Sequence, residues 1–326
     1  MKKISLILLM ASVLLLSSCA VSEQQGEISE KPDEPARREE ILLPDKLKKN
    51  EKGIPLLSVY QVDEETLEEM DIETYVQGVL AGEMKNDWPL EALKAQAILA
   101  RTFVLKFCSE KESQYENADI STSIEEAQAY DATGINDRIK RAVQETEGMV
   151  LSNHGVLPYA WFHAHSGGVT ALAREGLGYD EEEPDYTQVV KGLDSDKAPP
   201  EAREWEAYFT LDEVVHAARE SGVQIQTVES IEVGDTGESG RAETVVINDQ
   251  DVNAAKLRIA LGSTKMRSTL LTNLRIENSQ VLMRGKGYGH GVGMPQWGAY
   301  AMAEEGKSAE EIVMYYFRNV TLEKVW

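Results

Sequence analysis

Cysteine is nearly absent: Cys19 and Cys108 are the two in 326 residues. A disulfide framework is thereby excluded as the source of stability, and a chain of this length must be held by its own hydrophobic core. Positive charge is also scarce, with 33 basic against 56 acidic residues and a net charge of -23. That balance argues against nucleic acid or an anionic lipid surface as the main partner. It leaves open a neutral or peptide-poor polymer. Internal repeats are missing, and so are the glycine spacings of a nucleotide site. The glycines of Gly285–Gly293 are followed by neither Lys-Ser nor Lys-Thr and do not have the dinucleotide spacing.

A long apolar run occurs once, at the start. Met1-Lys2-Lys3 is followed by apolar residues through Leu16. The basic start, the short apolar stretch and the small residues after it describe a secretory signal. Leu16-Ser17-Ser18-Cys19 resembles the bacterial lipobox, which implies a signal peptide over residues 1–18 and lipid on Cys19. The acyl chains would hold the mature chain at a membrane surface without spanning it. The expected location is therefore extracytoplasmic, on the outer face of the cytoplasmic membrane. If Cys19 carries lipid, Cys108 has no partner. Residues 19–54 are rich in Glu, Lys, Gln and Pro and have little apolar periodicity, so they read as a disordered tether. Residues 55–326 are then the folded part.

Within that part the periodicities are mixed. Leu56–Tyr60 reads as a strand. Asp71 is the expected cap of a helix carrying Tyr75 to Glu83, and Asp87 that of a second helix with Pro89 in its first turn. Leu90, Leu93, Ala97, Ala100, Val104 and Phe107 mark the second helix's apolar stripe. A helix is expected over 136–143. Strands are expected at Met149–Leu151 and Leu157–Phe162, paired around Asn153-His154-Gly155. Residues 175–206 read as an irregular insertion, 211–220 as a helix, and 224–248 as strands around a glycine-rich turn. Pro295 opens a further helix. The order follows no βαβ period, so the expected fold class is α+β, one large domain of helices and antiparallel strands.

Glu83 is the residue of most chemical interest. Ile72, Val76, Val79 and Leu80 recur at helical spacing, and Glu83 continues the same face. A carboxyl group turned towards a core has a raised pKa and can serve as a general acid near neutral pH. The structural alternative is that the helix ends at Gly82 and Glu83 points into water. His290 sits among glycines that clear space around it, as a substrate would require. Tyr288 and Trp297 are candidates for sugar stacking or for the core, and Gln296 completes the proposed binding set with Ser166 and Gly167. His163 and His165 alternate on a probable strand, with His154 across a turn, and are the candidates for a metal. Zinc needs roughly four ligands, and the expectation is a structural role without a cofactor.

These segments together resemble the stage II sporulation protein D family, which includes amidase-enhancer proteins. The resemblance is carried by Tyr75–Met84, by Trp88–Ala97 with Ala100-Arg101-Thr102, by Trp161–Gly168, and by Gly287–Ala299. It implies a glycan-binding groove and a lytic transglycosylase that cleaves the bond between N-acetylmuramic acid and N-acetylglucosamine in peptide-free peptidoglycan. It places the catalytic Glu at Glu83, an important Arg at Arg101 and a Tyr at Tyr186. Hydrolytic glycosidases generally use two carboxylates. A lytic transglycosylase works with one, because the muramic 6-hydroxyl closes a 1,6-anhydro ring. The implied partners are glycan strands and a cell-wall amidase. The competing expectations are a non-catalytic peptidoglycan binder that enhances such an amidase, and a histidine-based metallohydrolase.

Overall fold

The helix Leu90–Glu110 (α2) is the axis of the largest hydrophobic core among the described residues. Its expected stripe is buried, but so are Ala92, Ala95, Gln96, Ile98, Leu99, Arg101 and Thr102. The small alanines let neighbours close in on most of its circumference. Those neighbours are Ile72–Glu83 (α1), Asp137–Glu145 (α3), Gln296–Glu304 (α8) and Ala309–Tyr316 (α9). The Asp71 carboxylate caps α1 as expected, accepting from the Thr74 amide at 2.8 Å. Asp87 does not cap α2. Pro89 stands at that position and makes no side-chain cap bond, because its aliphatic ring carries no acceptor.

The computed structural model describes Ile41 and residues 43–326. The expected signal peptide, Cys19 and most of the expected tether lie outside these residues. Composition extends the tether to residue 54, yet Ile41, Leu47 and Ile54 are buried in the first core. Their spacing follows neither a helical nor a strand period, and tertiary packing alone places them. None of the described helices is long and apolar enough to cross a membrane.

The first core carries a sheet ordered Thr66–Asp71 (β2), Leu56–Gln61 (β1), Ile120–Ser121 (β3). Met149–Ser152 (β4) does not pair with the segment after it, contrary to expectation. It pairs with the C-terminal Thr321–Lys324 (β13), Leu151 opposite Leu322. Of the expected second strand only its last residue is regular, as the start of Phe162–His163 (β5). Pro158 supplies no amide donor for a ladder, and a single bridge from Asn153 to Val156 closes the turn. β5 runs parallel to Met294–Pro295 (β12).

The second core is built by residues 205–283. One sheet has Glu204–Thr210 (β6) beside Gln280–Lys286 (β11), which pairs with Leu271–Glu277 (β10). Another orders Ile231–Val233 (β7), Thr244–Ile247 (β8) and Gln250–Asn253 (β9). Leu211–Glu220 (α6) and Ala254–Ala260 (α7) cover them. The expected irregular insertion, 175–206, takes in the end of one short helix, Ala173–Leu177 (α4), and all of another, Pro200–Arg203 (α5). The fold is α+β, and residues 43–326 belong to one compact unit.

Candidate active site

Glu83 closes α1. Two glycines in that helix, Gly78 and Gly82, lie one turn apart, and glycine weakens a helix interior. Their use is close approach. A Cβ on Gly82 would lie 2.7 Å from the Ala129 carbonyl carbon, and one on Gly78 would enter the Tyr130 ring. The loop after β3 therefore lies directly on the helix and delivers the Ala129 amide to Glu83 Oε1 at 2.8 Å. From the opposite wall, Gln296 in the first turn of α8 donates Nε2 to Glu83 Oε2 at 3.2 Å. Desolvation raises the Glu83 pKa above the ordinary carboxyl range, and these two hydrogen bonds only partly oppose it.

The cleft around Glu83 has a volume of about 320 Å³. Its apolar side is Phe103, Ile124 and Trp161, and its polar side is Gln128, His163, Tyr288, His290 and Gln296. Glu83 is the sole carboxylate among the lining residues. The two histidine rings lie with centroids 5.6 Å apart. Val292 organises both: its amide donates to His290 Nδ1 at 3.0 Å, and its carbonyl faces His163 Nδ1 at 3.2 Å. Burial, then the Arg258 and Arg241 charges, push the His290 pKa down to about 3. Burial, then the neighbouring His290 ring and the Arg241 charge, hold His163 well below the usual imidazole range. Both rings are neutral near pH 7. His163 Nδ1 then carries the hydrogen facing Val292, which leaves a lone pair on the buried, unpartnered Nε2.

Arg241, from the second core, supports this wall. Its buried guanidinium donates to the carbonyls of Ser166 at 2.6 Å and Val169 at 3.0 Å. Gly291 (φ +89°) lies against it, and a Cβ there would come within 2.4 Å of the guanidinium carbon. The glycines around His290 therefore accommodate a buried arginine as well as a ligand.

The other expected site residues are dispersed. Arg101 does not meet Glu83. It is fully buried and grips Glu73 through Nε at 3.0 Å and Nη2 at 2.6 Å, with Nη1 on the Met149 carbonyl at 3.0 Å. Neither orienting Glu83 nor holding substrate is open to it in this arrangement. Tyr186 stands behind the cleft wall, its ring 6.1 Å from that of Trp161 and its hydroxyl accepting from the Tyr159 amide at 3.1 Å. Trp297 packs on Trp88 at 4.5 Å in the core, so it is no sugar platform. Tyr288 does line the cleft, with the Arg267 guanidinium 5.1 Å over its ring. Ser166 is buried, donating its amide (3.0 Å) and its hydroxyl to Asp194. Gly167 lines a neighbouring cavity.

The metal candidates do not converge. His154 is exposed and lies 3.3 Å from Asp185, His163 lines the cleft, and His165 lines the neighbouring cavity. The orphaned imidazole nitrogen, His163 Nε2, does not make a donor set. Among the described residues no three His, Cys, Asp or Glu side chains gather as metal ligands. Cys108 is buried and its thiol pKa is pushed up to about 12, so it supplies no thiolate.

Sequence reasoning missed Gln128, Phe103, Ile124 and Arg241. None lies in a recognisable motif, and each reaches the site through tertiary packing.

A family model for stage II sporulation protein matches residues 60–153, the part that contains Glu83 and Arg101. Stage II sporulation protein D of Bacillus amyloliquefaciens is 30% identical over 293 residues, covering 85% of this chain and 80% of that protein. The chain belongs to the stage II sporulation protein D family. Its relatives include stage II sporulation protein D of Bacillus subtilis, 27% identical over 98% of this chain and 92% of that one. The protein named Amidase enhancer from Bacillus subtilis is 27% identical over 76% of this chain, which spans only 40% of it. A second model, for a domain of unknown function, matches residues 177–293 and so takes in the second core.

Proposed function

We propose that this stage II sporulation protein D family member is a lytic transglycosylase of peptidoglycan with a role in sporulation or cell-wall remodelling. The observation that carries the reading is the single sheltered carboxyl group in a cleft otherwise lined by neutral residues. A hydrolase generally uses a second carboxylate to activate water or form a glycosyl-enzyme. Here the protonated Glu83 gives its proton to the glycosidic oxygen as the C1–O bond breaks. The muramic 6-hydroxyl attacks C1, and the Glu83 carboxylate takes the hydroxyl proton as the anhydro ring closes. The acid is regenerated and no water is consumed. With Arg101 held on Glu73, no buried cation lowers the Glu83 pKa, which suits the first step. Gln296 and the Ala129 amide fix the carboxyl rotamer, while the neutral imidazoles and Gln128 offer polar contacts suited to an uncharged sugar.

The mature chain would work outside the cytoplasm, anchored through Cys19. Full-length protein is expected to release 1,6-anhydromuramyl fragments from peptide-free glycan, read by mass spectrometry, and Glu83→Gln to abolish their release. Unchanged release by the variant would refute the assignment. The likeness to Amidase enhancer supports a second reading, a non-catalytic glycan binder that accelerates an amidase. It requires no fragments from the protein alone and faster turnover when the amidase is added.

A further inference from the structure

A second cavity, of about 290 Å³, opens beside the cleft. The two share a wall. Ala164 and Tyr288 face the cleft, while His165, Gly167 and Lys286, next to them along the same two segments, face the cavity. The segments are bonded together, the His165 amide to the Tyr288 carbonyl at 3.0 Å and the Tyr288 amide to the His165 carbonyl at 2.8 Å. Residues one or two places apart along a chain lie within roughly 7 Å of each other, so the step from cleft to cavity is on the scale of a sugar or two.

The cavity departs from the charge pattern of the chain. Lys191, Arg203 and Lys286 converge on it from three separate segments. Of its three carboxylates, Asp194 is turned inward, its oxygens taken by the amide and hydroxyl of Ser166, while Asp196 is exposed and Glu204 lies at the rim beside Lys286. Lys286 lies 3.8 Å from Glu204. The Arg203 and Lys191 head groups have no carboxylate within 4.0 Å among the described residues. Unused cations in a concave site, within a chain of net charge -23, are a feature that solubility does not require. Arg203 is also locked to the cleft wall, because its carbonyl accepts from the Gly287 amide at 2.9 Å.

We propose that this cavity is a carboxylate subsite, in which Arg203 and Lys191, with Lys286, bind an acidic group carried by the glycan strand in the cleft. This rests on the reading of the cleft as a glycan site. Muramic acid bears a lactyl ether, which ends in a free carboxylate where the stem peptide is gone and in an amide where it remains. Stem peptides carry carboxylates of their own. An arginine with unused donors suits either source.

The test measures equilibrium binding by full-length Glu83→Gln protein, so that turnover does not intervene. The glycans are peptide-free strands, the same strands with lactyl carboxylates converted to methyl amides, and stem-bearing strands. Amidation should weaken binding about five- to tenfold, and the Arg203→Gln/Lys191→Gln pair should lose the same factor on the free acid and nothing further on the amide. The loss should shrink as salt rises. If stem-bearing strands depend on the pair as the free acid does, the stem supplies the carboxylate; if they behave as the amide does, the lactyl group supplies it. Equal binding of free-acid and amidated strands, or equal losses on both in the double variant, overturns the subsite and leaves the cleft reading standing. Failure to bind any strand overturns the cleft reading and this inference with it.

Discussion

Two glutamates on α1 have opposite surroundings. Glu73, in the first turn, is buried with four donors around it: two from Arg101, the Gly148 amide at 3.0 Å and the Trp326 indole nitrogen at 3.1 Å. Glu83, in the last turn, has one backbone amide and one neutral side-chain amide. The first is a buried ion pair that ties α1 to α2, β4 and the C-terminus. The second is an unpaired acid whose ionised form is disfavoured. The difference teaches that burial alone does not make a carboxyl group reactive; what matters is whether a cation is buried with it.

The comparison can be broken at either end. Glu83→Gln should lower product formation by about a thousandfold, the scale of losing a general acid, while the unfolding midpoint does not fall. Arg101→Met should do the reverse. It strands Glu73 among two remaining donors and should cost about 3–5 kcal/mol in denaturant unfolding, with activity lost only as the folded fraction falls. A midpoint unchanged in Arg101→Met would show that the ion pair is not structural.

A transplanted cation is a sharper test. Gln296→Lys places a positive charge beside Glu83, which should lower its pKa and reduce the fraction of acid at neutral pH. Activity at pH 7 should drop by about tenfold or more and recover in part at lower pH, as a pH–rate profile would record. An unshifted profile would mean that Glu83 does not act as an acid.

The smallest effect is in stability. The folded-state pKa of Glu83 lies above its unfolded value, so the folded state holds that proton more tightly. Its contribution is therefore full at low pH and is lost as pH rises from the ordinary carboxyl range through the raised value. Glu83→Gln escapes this loss. Its unfolding free energy relative to the wild type should climb over that window, by about 1.4 kcal/mol for each tenfold difference in proton affinity between the folded and unfolded states. A difference independent of pH, in denaturant titrations across the window, would show that the carboxyl is not desolvated.

Much of the local structure was legible. The Asp71 cap, the apolar spacing through α1 and α2, and the helix after Pro295 follow from short-range rules that act within a few residues. The strand expected after His154 failed because Pro158 breaks its ladder and β4 finds a partner in β13, which no local pattern reveals. Of the candidate site residues in the motifs, Glu83, His290, Gln296 and Tyr288 line the one cleft. Arg101 and Trp297 lie in the same motifs and turn to the core. Residue type and spacing cannot separate these outcomes, since helix α2 is buried nearly all round and offers no polar face from which to read direction.

By itself the sequence determined that no disulfide framework holds the protein, that α1 ends in a carboxylate, and that a glycine-rich segment stands ready to approach something closely. Only the tertiary structure decided that Arg101 belongs to Glu73, that Gln296 and the Ala129 amide belong to Glu83, and that Arg241 from the second core lies beneath Gly291. The reason is electrostatic: a carboxyl group's behaviour depends on the charges and donors within a few ångströms of it. Those come from residues 46 and 213 positions away along the chain for Glu83.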